Sequence, residues 1–165
     1  MGEMKGLEGI RVVEVGQMIA VPWAPRLIAD LGADVIKIEP PQGHLSRHRG
    51  PYPNQPDPSQ SGLFTHLNLN KRSVVADLGE ASDVARLHDL LGDADLLVHD
   101  LSPETANQIG LHENELAQNH PALVTVSVTP FGRTGPYSGW CAEDLQLCLL
   151  YTSDAADDMQ CVDLG

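Results

Sequence analysis

The side chains with the most chemical potential sit in a few short segments. Asn70-Lys71-Arg72-Ser73 holds the only adjacent basic pair of the chain and follows Asn68 just before a strand pattern. Two cations in such a place can pair with a phosphorylated ligand, or stand as a solvated surface pair. Phe131-Gly132-Arg133-Thr134-Gly135-Pro136-Tyr137 follows a second strand pattern. Glycines at a strand end let a ligand approach the backbone, and they also simply make turns. Glu39 lies about twenty residues after Gly16, the spacing at which an acidic side chain takes ribose hydroxyls in a dinucleotide site. The glycines such a site needs are missing, because Gln17-Met18-Ile19-Ala20-Val21 follows Gly16. The 7 histidines are scattered without an HExxH or other ligand spacing, which predicts no metal site, and no GxSxG turn offers a serine nucleophile.

Local patterns say which elements must position these residues. Val12, Val13 and Val15 form an apolar run ending at Gly16, a buried-strand signal. Pro22 suits a first helical turn, Ala24, Leu27, Ile28 and Leu31 follow at helical spacing, and Gly32 stops the helix. Val35, Ile36 and Ile38 make a second strand closed by Glu39 and Pro40-Pro41. Residues 40–62 read as one long ordered loop. Val74 and Val75 then suggest a strand. Ser82 and Asp83 are placed to cap a helix carrying Val84, Leu87, Leu90 and Leu91 on one face. Leu96, Leu97 and Val98 predict another strand, 103–119 a helical stretch broken at Gly110, and Val124, Val126 and Val128 alternate with Thr125, Ser127 and Thr129. Strands alternating with helices imply an α/β fold with a mostly parallel sheet and flanking helices.

Composition narrows the function classes. The chain has 165 residues, enough for one ordinary domain, and is 42% hydrophobic. Its formal charge of −13 repels a phosphate backbone, so nucleic acid is a poor partner. An anionic small molecule remains compatible, since a pocket needs only a few well-placed cations. No signal-peptide pattern follows Met1 and no apolar run is long enough for a membrane span. Cys141, Cys148 and Cys161 bunch at one end without a CxxC pair, which fits a reduced, cytoplasmic setting.

The last segment differs in kind. Cys148-Leu-Leu-Tyr-Thr-Ser-Asp-Ala-Ala-Asp157 is similar to a translated transposase-type sequencing adapter, read from the codons TGT CTC TTA TAC ACA TCT GAC GCT GCC GAC. Val162-Asp-Leu-Gly165 reads equally as GTA GAT CTC GGT, a continuation of such an adapter. The expected organisation is therefore residues 1–147 as a truncated amino-terminal domain, incomplete at its C-terminus, and 148–165 as a non-native tail.

Taken in order, the segments resemble the opening of type III CoA-transferases and their racemase relatives. The resemblance runs through Leu7-Glu8-Gly9-Ile10-Arg11-Val12-Val13-Glu14, Ala20-Val21-Pro22, Leu31-Gly32-Ala33-Asp34-Val35-Ile36-Lys37-Ile38-Glu39-Pro40 and Asn70-Lys71-Arg72-Ser73. It continues through Ala94-Asp95-Leu96-Leu97-Val98, Ile109-Gly110-Leu111, His120-Pro121-Ala122-Leu123-Val124, Phe131 to Tyr137 and Asp144-Leu145.

The resemblance implies a Rossmann-like domain of a longer chain that pairs into an interlocked homodimer. Its activity would be exchange of CoA between small carboxylic acids, with acyl-CoA and an acceptor acid as partners and coenzyme A as the only cofactor. An aspartate would attack the thioester to give a mixed anhydride, and CoA would return to form an enzyme thioester. That aspartate would lie beyond residue 147, so no catalytic residue is assigned and the piece itself would be inactive. By resemblance Ile19 and Ala20 would touch the pantetheine, Asn70 and Lys71 would lie along the phosphates and adenosine, and Asp100, Leu101, Phe131 and Gly132 would complete the CoA cleft. Val21 stands where the family has glycine in an Ala-Gly-Pro turn, and His44 where an aspartate usually follows glycine. Racemase relatives carry a histidine in a Gly-His-Asp segment, and the matching place reads Ala142-Glu143-Asp144. Transferase is therefore favoured over an acyl-CoA racemase or epimerase. A non-catalytic nucleotide-binding module is the alternative from another class.

Overall fold

Five short strands, each carrying Val or Ile, pair into one sheet. The computed structural model describes residues 6–142. β1 (Arg11–Val15), β2 (Asp34–Glu39), β3 (Arg72–Val75), β4 (Leu96–His99) and β5 (Val124–Ser127) are all parallel, in the order β3-β2-β1-β4-β5. Parallel neighbours need crossovers, and helices supply them: α1 (Ala20–Asp30), α2 (Gly62–Asn68), α3 (Ala81–Gly92), α4 (Pro103–Gln108) and α5 (Glu113–Asn119). The predicted α/β fold with flanking helices is the one observed.

The strand period of two decides what each face carries. On one face Val13, Val15, Ile38 and Leu97 pack with Leu87 and Leu91 of α3, Ala106 of α4 and Leu116 of α5. On the other, Val12, Val35 and Val98 pack with Val21 and Ala29 of α1. Toward the carboxyl ends of the strands that second face turns polar. After Val12, β1 presents Glu14, and after Val35, β2 presents Lys37 and Glu39. Taking an ionised side chain out of water costs several kcal/mol unless it is paired and hydrogen-bonded, so three buried charged residues need specific compensation.

Several sequence expectations are refined. The helix 20–30 stops at Gly32, whose φ of 105° suits glycine, as predicted. Residues 40–62 are ordered, as expected, but are not a single loop. They contain 3-10 turns at Leu45–His48 and Pro58–Gln60, and α2 begins at Gly62 behind Ser61, whose hydroxyl caps the Phe64 N–H. Ser82 and Asp83 do not cap α3. Both lie inside its first turn, Glu80 is the N-cap, and Asp83 accepts from the Asp77 N–H instead. The alternation in β5 is real, yet Val124 and Val126 are 60% and 44% exposed, while Thr125 and Ser127 are half-buried.

The chain divides into two units, Met1–Val128 and Thr129–Gly165. The first holds the whole sheet. In the described part of the second, Phe131 meets Tyr137 and Trp140 edge to face and those two rings are tilted against each other, with ring centroids 4.6 to 6.4 Å apart. Residues 143–165, with Glu143, the Asp144-Leu145 pair, Cys148, Cys161, the boundary at 147 and the adapter-like tail, lie outside the described residues.

Candidate functional site

Glu14 is fully buried and receives two ammonium groups. Lys37 Nζ lies 2.5 Å from Oε1 and Lys71 Nζ 2.6 Å from Oε2. The parallel register sets Glu14 opposite Lys37 on the neighbouring strand. Lys71 arrives from the segment after α2 and also donates to the Pro22 carbonyl at 2.6 Å and to Asn68 Oδ1 at 3.1 Å. Burial lowers the pKa of Lys71, and the Glu14 carboxylate works in the opposite direction. The signal for this cluster stood in the sequence: a single charge inside each of two apolar strand runs, opposite in sign.

Glu39, the carboxylate at the ribose spacing, holds the following segment in place. Arg47 Nε and Nη2 donate to its two oxygens at 2.7 and 2.9 Å, the His44 N–H donates at 3.2 Å, and the Ser73 hydroxyl donates as well. Burial alone would raise its pKa, but the bonds from Arg47 and Ser73 outweigh it and bring the value to about 2. The Arg47 guanidinium also lies over the Phe64 ring, 3.5 Å from its centroid.

In an open doubly wound sheet, ligands bind outside the carboxyl ends of the strands where the strand order reverses. Here that point lies between β1 and β4. Two turns meet there. After β1 come Gly16, Gln17, Met18 in a left-handed conformation with φ 53°, Ile19 and Ala20. After β4 come Asp100 and Leu101. The Gln17 N–H donates to Asp100 Oδ2 at 2.8 Å, and the Asp100 N–H donates to the Val15 carbonyl at 3.3 Å. Burial raises the pKa of Asp100, against the hydrogen bond from Gln17. Ile19 and Ala20 open α1 with exposed side chains. Four of the residues expected to meet CoA thus fall on the two turns that flank this crevice.

The other four are placed differently. Asn70 has φ 62° and its amide donates to Asp30 Oδ1 at 2.8 Å. Asp30 ends α1 and Ile19 precedes its start, a separation of roughly 16 Å along an 11-residue helix. Lys71 shares that end of the sheet by backbone, but its side chain runs inward to Glu14 and is 1% exposed. Phe131 and Gly132 lie in the second unit, where Gly132 has φ 81°.

A small open recess is lined by Lys37, Arg47, Phe64, Asn68, Lys71, Arg72 and Ser73. Its four cations are bound by three carboxylates, Glu14, Glu39 and Asp34. The recess therefore carries a net positive charge on a chain of −13. Among the described residues no group of three or more His, Cys, Asp or Glu side chains could hold a metal ion. Nor is any described helix long and apolar enough to cross a membrane.

The sheet order and the crevice at its reversal define a doubly wound α/β domain. The model for CoA-transferase family III matches residues 7–150, and the chain belongs to that family. It is 37% identical over 142 residues to succinate–glutarate CoA-transferase of Agrobacterium fabrum, covering 84% of this chain and 36% of that protein. It is 38% identical over 125 residues to succinyl-CoA:(R)-benzylsuccinate CoA-transferase subunit BbsE of Thauera aromatica, covering 75% and 30%. A crystal structure of a CaiB/BaiF family protein from Brucella suis superposes with a TM-score of 0.83 at 30% identity, covering 91% of this chain and 40% of that one. The chain thus spans about a third of the length of these curated relatives.

Proposed function

We propose that this chain is the CoA-binding portion of an enzyme that moves CoA between small carboxylic acids. The observation that carries the reading is the pair of turns at the sheet's reversal point, held together by the Gln17–Asp100 bond. Ile19, Ala20, Asp100 and Leu101 would meet the pantetheine there. The recess lined by Arg47, Arg72 and Ser73 supports a place for anionic phosphate, with Asn70 nearby.

A downstream aspartate, beyond residue 147, would supply the nucleophile. It would attack the acyl carbonyl, release CoA thiolate as the mixed anhydride forms, and accept that thiolate back as an enzyme thioester while the first acid leaves. The second acid would then take the activated position. The full-length parent would act as a cytoplasmic, interlocked homodimer. Residues 148–165 are read as an adapter-derived tail, which resequencing of the source DNA across codons 140–165 tests.

Isothermal titration of CoA into the chain tests the binding reading. Saturable one-site binding supports it, and no heat above dilution from folded protein overturns it. In the longer protein, transfer of CoA to a labelled acid without exchange of the acyl α-proton separates the transferase from a racemase.

A further inference from the structure

His44 is fully buried on the segment that follows β2, and both of its ring nitrogens have defined partners. Its Nε2 lies 2.9 Å from the Gly16 carbonyl, which can only accept, so Nε2 carries the proton. Its Nδ1 then accepts, from the Ser46 N–H at 3.2 Å and from the Ser46 hydroxyl at 2.6 Å. The imidazole is thereby fixed as the neutral Nε2–H tautomer. The charged groups around it are Lys37, Lys71 and Glu39. Burial and the two lysines lower its pKa to about 4, against Glu39 and the bond to Gly16.

Gly16 is the residue at which β1 becomes the crevice turn. A Cβ on it would lie 2.3 Å from Val21 Cγ1, so side-chain packing cannot hold this position in the way it holds its neighbours. Its carbonyl is engaged by His44, and by Lys37 only at 3.5 Å. The next residue, Gln17, is gripped by Asp100 through its N–H and by the Leu45 N–H through its side chain at 3.4 Å. Met18, beyond it, occupies a left-handed conformation that a non-glycine residue adopts only when its surroundings impose it.

We infer that His44 is a positioning residue: by donating to the Gly16 carbonyl it holds the Gly16–Ala20 turn in its crevice-forming shape, and so sets how tightly that turn receives a ligand. The ligand half of this inference rests on the CoA reading; the turn half does not. His44 touches no reacting atom and acts only through the backbone of another residue.

The test uses two polar variants of the whole chain. In His44→Gln the side-chain amide can still reach the Gly16 carbonyl. In His44→Asn the shorter amide stays by Ser46 and falls short of it. Amide hydrogen exchange at Gln17, Met18 and Ala20 is read by NMR, with the His44 tautomer read from its ring ¹⁵N shifts and CoA affinity from titration. The expected result is an Nε2–H tautomer, exchange about tenfold faster in H44N, and H44Q within about threefold of the parent, with CoA affinity following the same order. An Nδ1–H tautomer overturns the inference, as does exchange that is equal in H44N and the parent. A loosened turn with unchanged CoA affinity overturns its ligand half. Absence of CoA binding by the parent chain removes the CoA reading, while the exchange rates still decide whether His44 holds the turn.

Discussion

Lys71 lies 57 positions beyond Glu14 in the chain, yet its ammonium rests 2.6 Å from the Glu14 carboxylate with almost none of its side chain exposed. Because Lys37 occupies the other oxygen of Glu14, one carboxylate anchors the second strand, the first helix and the segment after α2 together. A residue that reads as a free phosphate ligand in sequence is thus tied into the core.

Removing the shared anion should be far worse than removing one cation. Glu14→Gln leaves two buried ammoniums without a counter-charge and should destabilise by about 3–5 kcal/mol, the range for breaking a buried pair. Lys71→Met keeps the Glu14–Lys37 pair and should lose less. Urea denaturation of the two variants checks the order, and equal losses would refute the shared-anchor account.

Acid should destabilise the chain in two adjoining windows. His44 folds with a pKa near 4, below its ordinary 6.5, so the unfolded chain takes up the proton first. Its contribution is complete above about pH 6.5 and is lost as pH falls toward 4, on the order of 3 kcal/mol in total. Glu39, held at about 2 instead of 4.5, contributes above pH 4.5 and loses that contribution as pH falls toward 2. Denaturation midpoints measured between pH 7 and 4 should decline, and H44Q should flatten the decline.

Gly16→Ala should fail through Val21. The new Cβ would meet Val21 Cγ1 at 2.3 Å and Cβ at 2.5 Å, closer than such atoms approach. Overpacking of this kind costs about 1–3 kcal/mol. The double variant G16A/V21A should recover part of the loss by calorimetry. A single variant as stable as the parent would contradict the crowding at this turn.

Asp100 should oppose an anionic ligand while holding the turn. Asp100→Asn keeps an acceptor for the Gln17 N–H and removes the negative charge, so CoA binding should tighten a few-fold. Asp100→Ala removes the acceptor too and should weaken it. Titration of both variants distinguishes charge from geometry.

The elements with a strong local period were legible. β1, α1, β2 and β4 follow from apolar runs and helical spacing, and Gly32 marks its helix end by the conformation only glycine adopts readily. α2 was not legible, because it is a short helix fixed by the Ser61 cap and by the burial of Leu67, with no long apolar stripe. The cap of α3 was misplaced for a related reason. Ser82 and Asp83 are good capping types, but Asp83 finds the Asp77 N–H.

The sequence by itself determined the alternation of strands and helices, the polar ends of β1 and β2, and, through the order of its segments, the family. Tertiary structure alone decided which charges meet. Glu14, Lys37 and Lys71 come from three separate segments, and only strand register and chain crossover bring them within hydrogen-bond reach. A local period fixes the face on which a side chain lies. The partner it finds there depends on long-range packing that no window of sequence contains.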